Sequence, residues 1–244
     1  AGTLANAIVM DDASSALSFA KGSGDTLDVS GVISGAGAVT IADGANVALS
    51  GANTYAGGTT IDGGSLSISS DAALGTTAGA ITLTDNGSLE TTADIATTRS
   101  VTLGTGGGDI SPDAGTTLSM VAPVGGAGGL TMDGAGTLVL EGTNTYTGAT
   151  TISSGTLELS DLGSIATSSG VVDNGTLDIS GSSMWTNSIT SLSGNGTVAL
   201  GPELLQLTDA SGTVSGVIAD GGVARGASGN LPLQGGTAPL PGGH

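Results

Sequence analysis

The sequence predicts an all-β fold, a parallel β-helix (β-solenoid) that winds short strands into stacked coils of about 20 residues. Three observations predict this fold. A short strand-like phrase recurs at steps near 20 residues, a longer stretch returns after 91 residues, and 46 glycines are combined with only 2% aromatic residues. Because large side chains are scarce, Leu, Val, Ile and Ala are left to fill a narrow interior. Repeats of this length are typical of solenoids.

The short phrase consists of glycine, a small residue, Leu or Val, any residue and then, in most copies, an apolar residue. It recurs at steps of 23 residues early in the chain and of 19, 20 and 21 residues later, with first glycines Gly64, Gly87, Gly136, Gly155, Gly175 and Gly196. Most copies alternate apolar and polar residues, which is the period of a half-buried strand. We therefore expect one inward ladder, formed by Leu66, Leu89, Leu138, Leu157 and Leu177.

The longer repeat contains both tyrosines of the chain. Residues 51–69 read GANTYAGGTTIDGGSLSIS, and residues 142–160 read GTNTYTGATTISSGTLELS. We expect Tyr55 and Tyr146 to mark the same corner of two coils, where asparagine turns the chain and tyrosine covers an exposed edge of the interior. The alternative is that the tyrosines stack on a ligand. Trp185 is likewise expected to pack rather than to bind.

The net charge of −18 limits the partners of the chain. With 21 acidic residues against three Lys and Arg, we expect no nucleic-acid partner and no attraction to anionic lipid. No apolar run approaches the roughly 20 residues of a membrane helix, so we expect no membrane insertion of this chain. Because the sequence has neither an initiator Met nor a signal-peptide pattern, we expect a mature or trimmed form.

The residue inventory argues against an enzyme. His244 is the sole histidine and cysteine is absent, which removes Cys–His catalysis, a buried Ser-His-Asp triad and a transition-metal site of His and Cys. We expect no cofactor apart from calcium, which favours carboxylates beside glycine turns. The calcium candidates are Asp25 and Asp28 in GSGDTLD and Asp109 and Asp113 in GGGDISPD; the alternative is that these are solvated turn aspartates.

The two long repeats resemble the passenger-associated repeat of bacterial autotransporters. The shared pattern is glycine, Asn-Thr-Tyr, glycine, Thr-Thr, an apolar residue and then Gly-x-Leu-x-apolar, and the resemblance covers roughly residues 28–222. It implies a right-handed parallel β-helix that is exported through the outer membrane and either displayed on the bacterial cell surface or secreted. The C-terminal NLPLQGGTAPLPGGH departs from the strand-rich segment that such passengers carry there.

We predict three regions: an N-terminal strand or cap region at residues 1–27, the solenoid at 28–228 and a Pro/Gly-rich arm at 229–244. A solenoid finishes in unpaired strand edges, so its ends are expected to carry assembly contacts. The candidates are Ile8, Val9, Met10, Leu231, Leu233 and Leu240. We therefore predict an extracellular structural protein that assembles head-to-tail as a homo-oligomer into a filament or matrix. The alternative is a monomeric adhesin that binds a host or neighbouring-cell ligand.

Overall fold

The chain forms a three-faced stack of coils. The computed structural model describes residues 2–20 and 24–219, which form a parallel solenoid of about ten coils with roughly 21 residues each. Since neighbouring strands lie about 4.8 Å apart, the stack is a rod on the order of 50 Å long. The predicted all-β solenoid is confirmed, with a coil slightly longer than the expected 20 residues.

The strands are short, and a single 3₁₀ helix, η1 (Asp71–Leu74), accompanies them in the described residues. In chain order the strands are β1 (Gly2–Leu4), β2 (Ile8–Met10), β3 (Ala16–Phe19), β4 (Leu27–Val29), β5 (Ile33–Gly35), β6 (Ala38–Ile41), β7 (Asn46–Leu49), β8 (Thr59–Asp62), β9 (Ser65–Ile68), β10 (Ile81–Thr84), β11 (Gly87–Thr91), β12 (Ile95–Thr97), β13 (Val101–Leu103), β14 (Gly108–Pro112), β15 (Thr117–Met120), β16 (Val124–Gly126), β17 (Leu130–Met132), β18 (Thr137–Leu140), β19 (Thr150–Ile152), β20 (Thr156–Leu159), β21 (Val171–Asp173), β22 (Thr176–Asp178), β23 (Thr186–Ile189), β24 (Leu192–Ser193), β25 (Thr197–Ala199), β26 (Leu204–Leu207) and β27 (Val217–Ala219).

Each coil passes through three faces in the order A, B and C. Face A is one ten-stranded sheet with the order β1-β4-β7-β9-β11-β14-β17-β19-β21-β24. Face B contains the pair β2-β5 and the seven-stranded sheet β12-β15-β18-β20-β22-β25-β27. Face C contains the six-stranded sheet β16-β13-β10-β8-β6-β3 and the pair β23-β26. The pair β2-β5 belongs to face B because each of its strands follows the face A strand of its coil, and the pair β23-β26 belongs to face C because each of its strands follows the face B strand.

Inward side chains form apolar ladders. On face A the register aligns Val47, Leu66, Leu89, Ile110, Met132 and Ile152. On face B it aligns Leu118, Leu138, Leu157, Leu177 and Val198. All of these residues are buried. The leucines of the short phrase therefore point inward as predicted, but the expected single ladder is wrong, because Leu66 and Leu89 lie on face A and the other three on face B.

The second copy of the long repeat lies one face further along the coil than the first copy. β7 and β9 of the first copy lie on face A, whereas their counterparts β18 and β20, 91 residues later, lie on face B. The reason is length, since 91 residues are about four and a third coils of 21 residues. The expectation that Tyr55 and Tyr146 mark the same corner is wrong in this respect: Tyr55 lies in the face B part of its coil and Tyr146 in the face C part.

A glycine that both copies share is required by close packing of successive coils. Gly35 has φ 104° and its counterpart Gly126 has φ 115°. A Cβ atom at Gly35 would lie 2.0 Å from the carbonyl oxygen of Met10, and one at Gly126 would lie 2.1 Å from that of Leu103. Any side chain at either position would collide with the backbone of the coil beneath it, which explains why the repeat keeps glycine there.

The first coil is continuous with the stack. β1, β2 and β3 pair in parallel with β4, β5 and β6, so the strand pairing gives no boundary at residue 27, where the N-terminal region was predicted to end. The predicted arm at 229–244 and residues 220–228 lie outside the described residues.

Arg99 joins two coils where a strand is missing. Residues 71–79 contain η1 in place of a face B strand, and within this segment only Ala72 and Ala73 accept hydrogen bonds from the coil below, both from Asn53. Arg99 is 1% exposed and donates from Nε to Asp71 Oδ1 at 2.8 Å. The rest of its guanidinium reaches Asp71 Oδ2 and four backbone carbonyl oxygens, those of Asp71, Gly75, Thr76 and Gly79. One buried side chain thus satisfies a turn that the β-ladder leaves open.

Candidate functional site

The two tyrosines lie inside the solenoid, not on its surface. Tyr55 and Tyr146 are both 0% exposed. Their hydroxyl groups lie 2.6 Å from Thr59 Oγ1 and 2.7 Å from Thr150 Oγ1, respectively. Burial raises the pKa of Tyr55 to about 12 and raises the pKa of Tyr146 as well, so both phenols are neutral near pH 7. The expectation that they cover an exposed edge is wrong, and neither ring is placed to stack on a ligand.

The asparagines before the tyrosines have the predicted turn role. Asn53 Oδ1 accepts a hydrogen bond from the amide of Ile33 at 2.8 Å, and Asn144 Oδ1 accepts one from the amide of Val124 at 2.8 Å. Both asparagines are buried. The Asn-Thr-Tyr sequence is therefore a structural corner, in which a buried amide replaces a ladder bond and a buried ring fills the interior.

Removing the two tyrosine hydroxyls is expected to have unequal effects on stability. Thr59 bonds only to Tyr55 among the described side chains, whereas Thr150 also lies 2.9 Å from Ser168 Oγ. Tyr55→Phe should lower the free energy of unfolding by about 1–2 kcal/mol, because it leaves the buried hydroxyl of Thr59 without a hydrogen-bond partner. Tyr146→Phe should lower it by less, because Thr150 keeps Ser168 as a partner. Urea unfolding of both variants measures the difference. Equal losses, or a larger loss for Tyr146→Phe, would contradict this account of the corners.

The structure separates the second pair of calcium candidates, Asp109 and Asp113. Asp109 lies on β14 and Asp113 follows it on the same extended segment, which separates them by roughly 13 Å. Asp28 accepts a hydrogen bond from the hydroxyl of Ser50 at 3.2 Å. Residues 2–20 and 24–219 contain no group of three or more His, Cys, Asp or Glu that would hold a metal ion. Calcium binding stays a prediction of the sequence, which melts in CaCl₂ and NaCl of equal ionic strength would test.

Asp173 ends the apolar ladder of face A. The register places it directly above Ile152, and it is 2% exposed. Its Oδ1 accepts a hydrogen bond from the amide of Gly175 at 3.1 Å, while Oδ2 is buried without a partner in the described part of the chain. Burial raises the pKa of this carboxyl, an effect that hydrogen bonds from backbone amides partly offset. Asp173 is therefore a destabilising feature of the core at neutral pH.

Asp109 makes the stability of the solenoid dependent on pH. Burial, followed by the nearby Asp133 carboxylate, raises the pKa of Asp109 to about 6. The unfolded chain has a value near 4 for aspartate, so the folded state binds more protons between about pH 4 and 6. Stability contributed by this group is therefore lost as the pH rises through that window.

We expect the melting temperature to be a few degrees higher at pH 5 than at pH 7, and Asp109→Asn to reduce this difference while stabilising the chain at pH 7. Thermal melts across the window measure the effect. Asp113→Asn, at an exposed position of the same segment, is the matched control and should leave the pH dependence unchanged. A melting temperature that rises with pH would show that Asp109 is not desolvated.

An exposed apolar edge crosses three successive coils between faces B and C. Leu162, Trp185 and Leu204 are 61%, 77% and 51% exposed, and we call these three residues the Trp185 edge. Hydrogen bonds between coils bring their chain segments next to one another, although the three residues are not register partners: Asp161 pairs with Ser182, and Leu204 pairs with Thr186. The amide of Ser183 donates to the carbonyl oxygen of Asp161 at 2.8 Å, and the amide of Leu204 donates to that of Trp185 at 3.1 Å. Trp185 is expected from the sequence to pack, but the structure leaves most of its side chain exposed.

Acidic side chains lie on face B, and at its corner with face C, in the coils that carry Leu162 and Trp185 and in the coil below them. Glu158 stands directly opposite Asp178 in the register of β20 and β22. Burial, the Asp178 carboxylate and the Glu141 carboxylate, in that order, raise the pKa of Glu158. Asp161 is exposed and directly precedes Leu162. We call Glu141, Glu158, Asp161 and Asp178 the acidic strip.

The described surface carries no basic side chain. Arg99 is the sole Lys, Arg or His within residues 2–20 and 24–219, and it is buried. The acidic strip therefore has no cationic neighbour on that surface. Sequence analysis predicted the excess of negative charge but not this arrangement, because spatial neighbours on successive coils are about 20 residues apart in the chain.

The predicted assembly residues fall into three groups. On β2, Val9 is 64% exposed, Ile8 is partly buried and Met10 is a core residue at 5%. Leu231, Leu233 and Leu240 lie outside the described residues. Of the N-terminal candidates, only Val9 presents a large exposed apolar surface. Within the described ranges no helix has the length and apolar character to cross a membrane.

This chain is similar to one protein family and to one known adhesin. The passenger-associated-transport-repeat family matches residues 34–68 and 130–159, which include most of the two long repeats. The chain is also 39% identical over 173 residues to the adhesin BmaC autotransporter of Brucella suis biovar 1 (strain 1330). That match covers 70% of this chain but 5% of the length of the relative. No solved structure gives a significant match.

Proposed function

Because the chain is an autotransporter passenger segment built on passenger-associated transport repeats, we propose that it is a non-enzymatic, adhesive part of a surface-displayed rod. As a passenger it is secreted and displayed at the cell surface. A continuous stack of coils is suited to this task, since it holds side chains at fixed positions along a slender support. The printed name of the relative, an adhesin, supports the same role.

The observation that carries the adhesive role is the Trp185 edge. An aromatic side chain that is 77% exposed gains nothing from burial in the fold. Tryptophan is enriched among the residues that dominate binding energy in protein interfaces. Leu162 and Leu204 extend the apolar surface above and below it. A surface of this kind on a protein with few aromatic residues supports a contact with a partner.

Attachment of coated beads tests this function. Beads that carry the purified chain should adhere to cultured animal cells or to a bacterial lawn more than beads coated with an unrelated acidic protein. Trp185→Ala should reduce this attachment, and Val9→Ala, which shortens an exposed side chain at the other end of the rod, should not. Attachment no greater than that of the unrelated protein would contradict an adhesive role.

Head-to-tail assembly is a second candidate function, and one observation favours it. β1, β2 and β3 each pair on one side only within the described residues, which leaves a row of backbone donors and acceptors at that end. Such edges pair readily with a strand of another chain. A contact that does not close into a ring propagates as a filament.

Truncation separates the two candidates. Light scattering at high concentration should show large assemblies of the full chain and loss of assembly when residues 1–12 or residues 229–244 are removed. If the full chain and both truncated chains remain monomeric, head-to-tail assembly is wrong and the adhesive rod acts as a monomer.

A further inference from the structure

We propose that the Trp185 edge and the acidic strip together form a docking site for a basic polypeptide segment with apolar side chains. This inference rests on the proposed adhesive role and names the chemistry of the partner. It depends on two independent observations: exposed apolar side chains on three successive coils, and carboxylates on the same coils with no basic side chain on the described surface.

The edge has the dimensions of a short peptide contact. Three successive coils place Leu162, Trp185 and Leu204 within about 10 Å along the rod, because coils lie one strand spacing apart. An extended polypeptide presents alternate side chains on one face about 7 Å apart. Two or three apolar side chains of a partner segment are therefore enough to cover the edge from end to end.

The charges select a basic partner. Glu158 and Asp178 are direct cross-strand neighbours, and like charges in such positions repel each other. Burial, and then the carboxylates of Asp178 and Glu141, raise the pKa of Glu158. A bound lysine or arginine would relieve the repulsion, and an arginine over the indole of Trp185 would add a cation–π contact. The net charge of −18 would also speed the encounter with a basic segment at low salt.

The same features disfavour two other occupants. A second copy of the described surface would bring carboxylates against carboxylates, since that surface has no basic side chain. A neutral sugar would stack on the ring of Trp185 but would leave Leu162, Leu204 and the acidic strip without a complementary group. Apolar and basic side chains in one segment use all parts of the site.

Peptide binding to the full chain tests the proposal. The probe is a short, fluorescently labelled synthetic peptide of alternating arginine and leucine with blocked ends, followed by anisotropy. Trp185 is the single tryptophan, so its emission gives a second readout with unlabelled peptide. We expect saturable binding that weakens as NaCl is added, and a change in Trp185 emission at the same peptide concentrations.

Matched variants and peptides locate the site. Trp185→Ala should weaken binding about tenfold, the effect of losing one favourable ring contact. Combined Glu158→Gln and Asp161→Asn should weaken it and flatten the salt dependence. Combined Asp43→Asn and Asp113→Asn removes the same charge from exposed positions elsewhere and should leave binding within about twofold. An arginine–serine peptide, with equal charge and no apolar side chain, should bind about tenfold more weakly.

Three results would overturn the proposal. Equal binding of the arginine–leucine and arginine–serine peptides, or equal losses in the strip and control variants, would show non-specific attraction to an acidic rod. A response of Trp185 emission to a neutral N-acetylglucosamine oligomer, without a response to the peptide, would indicate a sugar site. Self-association that Trp185→Ala abolishes would identify a second copy as the occupant.

The peptide-binding experiment and the bead assay can fail independently of each other. Wild-type beads that adhere, combined with no peptide binding, would leave the adhesive function standing and reject the basic partner. If the beads did not adhere but the peptide bound in a Trp185-dependent way, the proposed adhesion to those cells would be rejected and the docking site would be retained.

Discussion

Leu157→Asp is expected to prevent the solenoid from folding stably. Leu157 is 0% exposed and lies between Leu138 and Leu177 in the inward ladder of face B. A carboxylate at this position would be buried without a partner, which should cost more than about 4 kcal/mol. Because every inward residue contacts the coils above and below, the loss should affect more than one coil. Far-ultraviolet circular dichroism and a thermal melt measure the result.

Leu162→Asp is the matched control for this substitution. Leu162 belongs to the same coil, and it is 61% exposed, so the same new charge stays in water. We expect its melting temperature to remain within a few degrees of the wild type. If Leu157→Asp melted like the wild type, Leu157 would have to face the solvent and the register of face B would be wrong.

Arg99→Ala is expected to destabilise the chain by about 3–5 kcal/mol. The substitution leaves Asp71 without its ion pair and removes the guanidinium donor from four backbone carbonyls of the coil below, of which that of Thr76 keeps a bond from the amide of Gly79. The region affected is the turn at residues 71–79, where η1 replaces a strand. Chemical denaturation gives the loss of stability, and hydrogen exchange shows whether opening begins in this turn.

Arg99→Lys tests whether the shape of the guanidinium matters beyond its charge. A lysine keeps the positive charge near Asp71 but cannot present a planar fork to one carboxylate and several carbonyls at once. We expect it to recover less than half of the stability lost in Arg99→Ala. Full recovery would show that charge alone stabilises the turn, and wild-type stability of Arg99→Ala would show that the turn does not need the contact.

The coil and the inward leucines were predictable because their signals are local. A strand alternates side chains across its two sides, so Leu157 and Leu177 are marked as inward by their own neighbours in the sequence. The spacing of the short phrase gave the length of the coil to within about one residue, at 20 expected against 21 found. These properties depend on a few residues at a time.

The assignment of residues to faces was not predictable in the same way. A repeat of 91 residues is not a whole number of coils, so sequence similarity alone places Leu66 and Leu157 in one ladder, whereas the fold places them on faces A and B. Coil lengths vary because of turns such as residues 71–79. The face that a residue occupies therefore depends on the summed lengths of all preceding coils, and a pattern of a few residues does not contain that sum.

The candidate site was missed for a related reason. Residue type favoured burial of Trp185, and its exposure follows from a corner of the coil that no repeat of the sequence covers. The polar residues on both sides of it, in SSMWTNS, were the available signal. Trp185 comes near Leu162 and Asp161 only when coils stack, since about one coil of sequence separates Trp185 from those two residues.

Quenching of the fluorescence of Trp185 tests the binding surface most directly. As the single tryptophan, Trp185 reports on the native chain without labelling. At 77% exposure beside an acidic strip, it should emit like an indole in water and be quenched by neutral acrylamide about as strongly as in the unfolded chain. Relative to free N-acetyltryptophanamide, quenching by caesium should be enhanced and quenching by iodide reduced, because the carboxylates attract the cation and repel the anion. A blue-shifted emission protected from acrylamide until the chain unfolds would place Trp185 in the interior and contradict the proposed docking surface.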